Sequence, residues 1–342
     1  MEKILNTKKK LLLFASKDLK IVFKEDMSHN EYKKYLKIII NKTNFFPANY
    51  TENTINYYKE YFLPENFFDL TCIFFSQNNP VAIWPLFYSR KFGLGYFDRP
   101  VYQPIFVDSF SKKNKKKIQN QLILFLKDLN KETELKISEI FDGLQGVSNW
   151  IFLLKNNFKL IKLNQYYYLH ILNSLDEIKK NFSQNTRNLV NKNNNFSIFL
   201  FEKNICPDIW SDFMKLHKIV SNKSTRSEQS WKLQLKSLLN EDSFFICAYH
   251  GKKIISGAFY LKGKNQAIYG VSATLEKYKK SNIFYHIKKK SIEYLITQKI
   301  KWLFLGKCYD DFDNVSDRQK TISSFKEKFS SNLIFEYIFS NS

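Results

Sequence analysis

Residues 269–282 read Tyr-Gly-Val-Ser-Ala-Thr-Leu-Glu-Lys-Tyr-Lys-Lys-Ser-Asn and lead into an apolar-periodic run over 283–298. That run predicts a helix which Ser281 or Asn282 can cap. The first turn of a helix has N–H groups without intrahelical partners, and the macrodipole adds partial positive charge there. With Lys277, Lys279 and Lys280 just before it, the segment predicts a site for an anion such as a pyrophosphate. Tyr269 and Ser272 end the strand that feeds this loop and carry hydroxyls able to hydrogen-bond a ligand. The same residues also describe a capped surface helix with solvated lysines. On spacing alone both readings stay open.

The elements that must position this loop occur twice. Cys247 begins Cys-Ala-Tyr-His-Gly-Lys-Lys-Ile-Ile-Ser-Gly-Ala-Phe-Tyr, a strand, a tight turn and a strand; Cys72 begins a segment of the same layout. Phe75 matches Tyr249, Val81 matches Ile255 and Ala82 matches Ser256, each pair 174 residues apart in a chain of 342. A duplicated unit of this length predicts two like domains, 1–172 and 173–342, with a cleft between or within them. In the first half, strands are expected at 19–23, 70–75, 81–88, 91–97, 134–140 and 160–171. Helices are expected at 31–40, 115–129 and 147–156. In the second half Ser174 and Glu177 form a capping-box pattern that opens a polar helix running to 194. The rest reads as strand 196–201, helices 207–220 and 228–239, strands 244–249, 254–261 and 265–271, helix 283–298, strand 302–305, helix 316–325 and strand 333–339. This order lacks the repeated βα alternation of a doubly wound sheet, so the fold class is α+β, or mixed α/β. The chain contains no GxGxxG and no P-loop.

Composition narrows the function classes. The hydrophobic fraction of 44% describes a globular protein. The formal net charge of +22 suits an anionic partner: tRNA, a nucleotide-linked substrate, a phosphate-bearing cosubstrate or a lipid surface. High Lys, Asn, Ile and Phe content is also what an AT-rich genome produces. The four cysteines, Cys72, Cys206, Cys247 and Cys308, show no CxxC pair, so neither a zinc site nor a disulfide framework is expected, and no metal is. No apolar run approaches the ~20 residues of a membrane span. The expectation is a soluble cytoplasmic protein, with peripheral membrane contact left open.

Several segments in order resemble a known family. They are Leu216 with His217, Arg226 with Trp231, the hairpin around Gly251 to Gly257, the Tyr269/Ser272/Ala273 loop, Phe304-Leu305-Gly306, Lys320, and Phe325-Lys326. Together they are similar to the FemAB-like branch of the GNAT acyltransferases, best from about 175 to 335. The resemblance implies two tandem GNAT-like domains, each a mixed, mostly antiparallel sheet flanked by helices. It implies transfer of an acyl or aminoacyl group from an activated carrier to an amine by direct attack on a thioester or ester carbonyl. The carrier would be acyl-CoA, acetyl-CoA foremost, and the acceptor an amino group of a cell-envelope sugar or peptide precursor. Alternatives are an aminoacyl-tRNA donor in peptidoglycan bridge formation and a noncatalytic binding or scaffold protein. The resemblance puts Lys326 near the reacting carbonyl, where it would neutralise developing charge. The donor site would hold Ser272, Lys277, Lys279, Lys280, Ser281 and Asn282, with Tyr269 beside it. Arg226 would pair with a phosphate or carboxylate of the acceptor. Of the carboxylates Asp310, Asp311 and Asp313, Asp310 is the candidate base for the incoming amine. His217 and His286 sit in apolar helical contexts and read as packed histidines.

Overall fold

The computed structural model describes residues 2–13, 19–129, 135–140, 150–192, 195–309 and 313–340. They form a mixed α+β architecture of mostly antiparallel sheets flanked by helices. The chain divides into two compact units, one of 1–46, 62–164 and 334–342, the other of 47–61 and 165–333. Compared with the division expected at 172, residues 47–61 and 165–172 fall in the second unit and 334–342 in the first. Residues 47–61 carry α3 (Glu52–Tyr61), which packs on α9 (Glu228–Leu239) of the second unit. The chain returns to the first unit through β15 (Asn332–Ser340), which pairs antiparallel with β8 (Lys136–Ile140).

In the first unit β1 (Lys20–Phe23), β3 (Cys72–Ser76), β4 (Asn79–Trp84) and β7 (Ile105–Phe106) form an antiparallel sheet in that order. A smaller sheet joins β2 (Phe68–Asp69), β5 (Phe87–Ser89) and β6 (Gly93–Gly95). Helix α2 (His29–Lys42) lays Tyr32, Leu36 and Ile39 onto the sheet, and its Ser28–Glu31 capping box fixes where it starts. Helices α1 (Glu2–Leu12) and α4 (Lys112–Leu129) pack together. Glu336 is buried, but it accepts hydrogen bonds from Ser138 Oγ at 2.7 Å and Asn164 Nδ2 at 2.8 Å, which offsets its lost hydration. Helix α5 (Trp150–Lys155) and β9 (Lys159–His170) lead into the second unit.

The second unit orders its strands β10 (Ser197–Phe201), β11 (Ser243–His250), β12 (Lys253–Lys262), β13 (Gln266–Thr274), β14 (Trp302–Cys308) and the last half of β9. All pair antiparallel except β13 with β14. Both faces of β11 are buried, which is why its sequence is an apolar run rather than an alternation. Phe244 and Ile246 face one core with Tyr260, Ile287, Leu295 and Leu303. Phe245 and Cys247 face the other with Trp210, Phe213, Trp231 and Phe259. Helices α6 (Leu175–Lys180), α7 (Gln184–Asn191) and α10 (Ile283–Thr297) cover the first face, and α8 (Pro207–Ser221) with α9 covers the second. Each of the fully buried large side chains contributes about 1.5–3 kcal/mol. Helix α11 (Asp317–Glu327) packs along β14.

The sequence repeat is a structural one. Ser76 pairs with Asn79 across the two-residue turn of Gln77 and Asn78, and His250 pairs with Lys253 across Gly251 and Lys252. Gln77, Asn78 and Gly251 all have positive φ, the signature of a tight hairpin turn. Each hairpin also shifts register just inside its turn, between Phe74 and Phe75 in one and between Ala248 and Tyr249 in the other. Turn and bulge are both 174 residues apart, as the matched side chains are.

Several expectations change. The strand expected at 81–88 is two strands, β4 and β5, in different sheets, and helix α1 is not foreseen. The polar helix expected to run to 194 is two helices, because Ser183 accepts from the Thr186 amide and caps a new start at Gln184. Helix α3 is not foreseen, because its buried side carries Asn53 and Thr54 beside Ile55 and so masks the apolar period. Among the described residues no helix is long and apolar enough to cross a membrane.

Candidate functional site

The site follows from an interruption in the sheet of the second unit. Strands β13 and β14 pair in parallel only at Gln266 to Ile268 with Trp302 to Phe304. Beyond that point β13 continues to Thr274 and β14 to Cys308, so the two strands run on without a shared ladder. Among the described residues, the edge of β13 that faces β14 has no strand opposite it beyond Ile268, while its other edge stays paired with β12. A cavity of about 820 Å³ lies in the gap, within the usual range for a small-ligand pocket. Tyr269 to Thr274 form one wall and Leu305 with Gly306 the other.

A bulge sets how β13 presents its side chains. Phe259 pairs with Val271 but Tyr260 pairs with Tyr269, leaving Gly270 as the extra residue. The bulge aims Tyr269 at the cavity, where its hydroxyl shares a hydrogen bond with Ser272 Oγ. Burial pushes the Tyr269 phenol well above its ordinary pKa, so it acts as a neutral hydrogen-bonding group.

On the opposite wall, Gly306 sits at φ +116°, a conformation that glycine tolerates and other residues do not, where β14 shifts register against β9. The space that a Cβ at 306 would fill is taken by the amine of Lys326 from α11. Lys326 lines the cavity, and burial lowers its pKa below the ordinary lysine value. Among the described residues no carboxylate pairs with this amine, so its charge is available to a ligand.

The far end of the cavity holds Arg226, His217 and Arg318. Arg226 is held on three sides: Nε donates to Tyr57 Oη at 2.9 Å, Nη1 donates to Thr225 Oγ1 at 2.9 Å, and the guanidinium lies 5.2 Å from the Trp231 ring. His217 stacks edge-on against the same Trp231. Burial, then the charges of Arg226 and Arg318, depress its pKa to about 4. The imidazole therefore stays neutral between two cations. It is packed, as its sequence context suggested, and it also lines the cavity.

The loop expected to hold the anion is divided by the structure. Residues Glu276–Ser281 form a 3₁₀ turn, and Asn282 then takes a left-handed conformation at the start of α10. Asn282 and Lys279 line the cavity, with Ile283, Phe284 and Tyr285 of the first turn of α10. Lys277 and Lys280 are exposed and outside the lining, because the 3₁₀ turn points them outward; Lys277 lies over the Tyr278 ring. Ser281 is also outside it, its Oγ donating to the Tyr278 carbonyl at 2.6 Å. Lys279 pairs with Glu276 on the same turn. Asp310 and Asp311 lie outside the described residues, and Asp313 accepts from Lys307 at 3.1 Å. The structure thus brings together Arg226, Tyr269, Ser272, Lys279, Asn282 and Lys326. Sequence reasoning missed Arg318 and Ile322, and it named Phe325 without the ring cluster it forms with Phe284 and Tyr285, 5.3 Å and 5.5 Å away. Their signal was the three-to-four-residue spacing of Arg318, Ile322, Phe325 and Lys326 on one helix face.

Solved structures share this fold. FemX matches with a TM-score of 0.63 at 11% identity, over 94% of this chain and 97% of that one. A conserved protein of unknown function from Bacteroides thetaiotaomicron matches at 0.59 and 11%, over 94% and 99%. The C-terminal domain of a putative lysylphosphatidylglycerol synthetase from Agrobacterium fabrum matches at 0.56 and 10%, over 92% of each chain. At these identities the likeness is one of fold, and in fold the FemAB-like expectation holds. No family model and no curated protein matches the chain.

Proposed function

We propose that the chain is an N-acyltransferase that takes an acyl group from acyl-CoA, acetyl-CoA foremost, and places it on an amino group of a cell-envelope sugar or peptide precursor. The observation that carries this reading is the amine of Lys326 set against Gly306 at the parting of β13 and β14. A carbonyl lying in that gap meets a desolvated cation on one side and the Tyr269–Ser272 hydroxyl pair on the other. The acceptor amine attacks the thioester carbonyl, the C–N bond forms and the C–S bond breaks. CoA leaves as the thiol, with the proton the amine gives up. Lys326 stabilises the oxyanion of the tetrahedral intermediate, where its charge acts in low dielectric. The walls hold donor and acceptor in register, which removes much of the entropic barrier. Lys279, Asn282 and the first N–H groups of α10 take the donor phosphates. The anchored Arg226 takes an anionic group of the acceptor. Asp310 is the proposed base for the amine. The reading needs no metal, and an envelope precursor as acceptor would put the reaction in the cytoplasm, at the membrane surface.

A second donor is favoured by one observation, the net charge of +22. An aminoacyl-tRNA, a polyanion, would use that charge. Purified chain incubated with labelled acetyl-CoA and a panel of amino sugars and muropeptide amines tests the first reading through CoA thiol release and labelled product. No transfer and no thermal shift with millimolar acetyl-CoA removes acetyl-CoA as donor. Binding to aminoacyl-tRNA that weakens steeply with salt would then select the second. Failure of both leaves a noncatalytic binding protein.

A further inference from the structure

Lys288 is fully buried, the one lysine so placed among the described residues. Among the described residues its amine has no hydrogen-bond partner. It lies 3.4 Å from the centre of the Tyr269 ring, 5.2 Å from that of Tyr260 and 5.9 Å from that of Phe284. Tyr269 and Phe284 line the cavity and Lys288 does not, so the amine sits one aromatic layer behind the wall. A buried amine without a partner is costly, and a methionine or leucine would fill the same space without that cost. Such an exception to local rules is most often kept for function.

We propose that Lys288 is a positioning residue: its amine braces the face of Tyr269 and so fixes the Tyr269–Ser272 pair against the cavity. This rests on the acyl-transfer reading of the site. Tyr269 stays in the ladder opposite Tyr260 with the bulge residue Gly270 beside it, and its ring is packed by neighbours on two elements. Tyr260 supports it from β12, with ring centres 5.5 Å apart, and Phe284 from α10 at 6.1 Å. Lys288 stands over the ring itself, its amine 3.4 Å from the ring centre. Burial first, and then the charge of Lys326 on α11, hold the Lys288 pKa well below the ordinary lysine value. An amine whose charged form is disfavoured in this way can point an N–H at the ring without adding a second cation to the site.

The test follows the Tyr269 ring by NMR in protein with isotope-labelled tyrosines, the signal being assigned with Tyr269→Phe. In the wild type the signal moves with pH about a midpoint below the ordinary lysine range. In Lys288→Met the movement is lost; in Lys326→Met it is kept. Lys288→Met also melts at higher temperature than the wild type near neutral pH. That gap closes as the pH rises toward 10, because the wild type no longer releases a proton on folding. In the acetyl-CoA assay Lys288→Met lowers kcat at least tenfold with KM for acetyl-CoA unchanged. If the wild type transfers nothing, the acyl-transfer reading fails, while the ring signal and melting curves still decide on Lys288. If Lys288→Met does not fold, the wild type and Lys326→Met titrations decide alone. A Tyr269 signal that ignores pH, or a response that disappears in Lys326→Met instead, overturns the proposal.

Discussion

The amine of Lys326 occupies the volume that a side chain on Gly306 would need. A helix and a strand are thereby locked together at the parting of β13 and β14, and the glycine serves two purposes. It takes the +116° φ of the register shift, and it makes room for a cation at the gap.

Gly306→Ala is expected to strain the backbone and expel the Lys326 amine from its place. The strain costs about 1–3 kcal/mol. Denaturant unfolding should register that loss, and acyl transfer should fall as far as it does in a Lys326 variant.

Lys326→Ala should fold normally and lose about 10²–10³-fold in kcat, the usual effect of removing an oxyanion-stabilising donor. The wild-type rate should fall as the pH rises through the lowered Lys326 pKa, since the charged amine is the active form. The residual rate of Lys326→Ala should lack that alkaline limb. A pH–rate profile of both proteins checks the assignment, and an alkaline limb of unchanged position in the variant counts against it.

His217 should titrate near pH 4 in the free protein. An anion bound between Arg226 and Arg318 would screen the two charges and raise that value, visible in imidazole NMR titrations with and without pyrophosphate. The folded pKa lies below the unfolded one of about 6.5. The contribution of His217 to stability is therefore complete above 6.5 and is lost as the pH falls toward 4. His217→Gln should flatten the melting temperature across that window.

Gly257 shows a packing constraint without chemistry. A Cβ there would lie 2.8 Å from the Phe213 ring and 3.0 Å from Phe245. Gly257→Ala should destabilise by about 1–3 kcal/mol through overpacking, measured by thermal unfolding. The nearby cavity should keep its ligand affinity in the fraction that remains folded.

Much of the fold was legible in the sequence because it rests on local rules. The two hairpins announce themselves through turn residues and apolar runs, and their spacing carries through to turn and bulge alike. The helix start after Ser174 follows from its cap, while the caps at Ser28 and Ser316 show only in the structure. Helix α3 was not legible, because Asn53 finds its partner in Asp242, far away in sequence. The site was legible in part. Tyr269, Ser272 and Asn282 belong to one short segment and line one cavity, whereas the outward turn of Lys277 and Lys280 depends on a 3₁₀ geometry that composition does not dictate.

What the sequence determined by itself was the repeat, the α+β class and the basic, cysteine-poor surface chemistry, since period, turn type and charge are properties of short segments. The tertiary structure decided which cations face one another. Gly306 and Lys326 meet only because β14 departs from β13 and α11 returns across the gap. Lys288 lies beneath Tyr269 only because a strand bulge and a helix face coincide. Such meetings depend on where strands stop pairing, and that is fixed by packing over the whole unit rather than by any run of neighbouring residues.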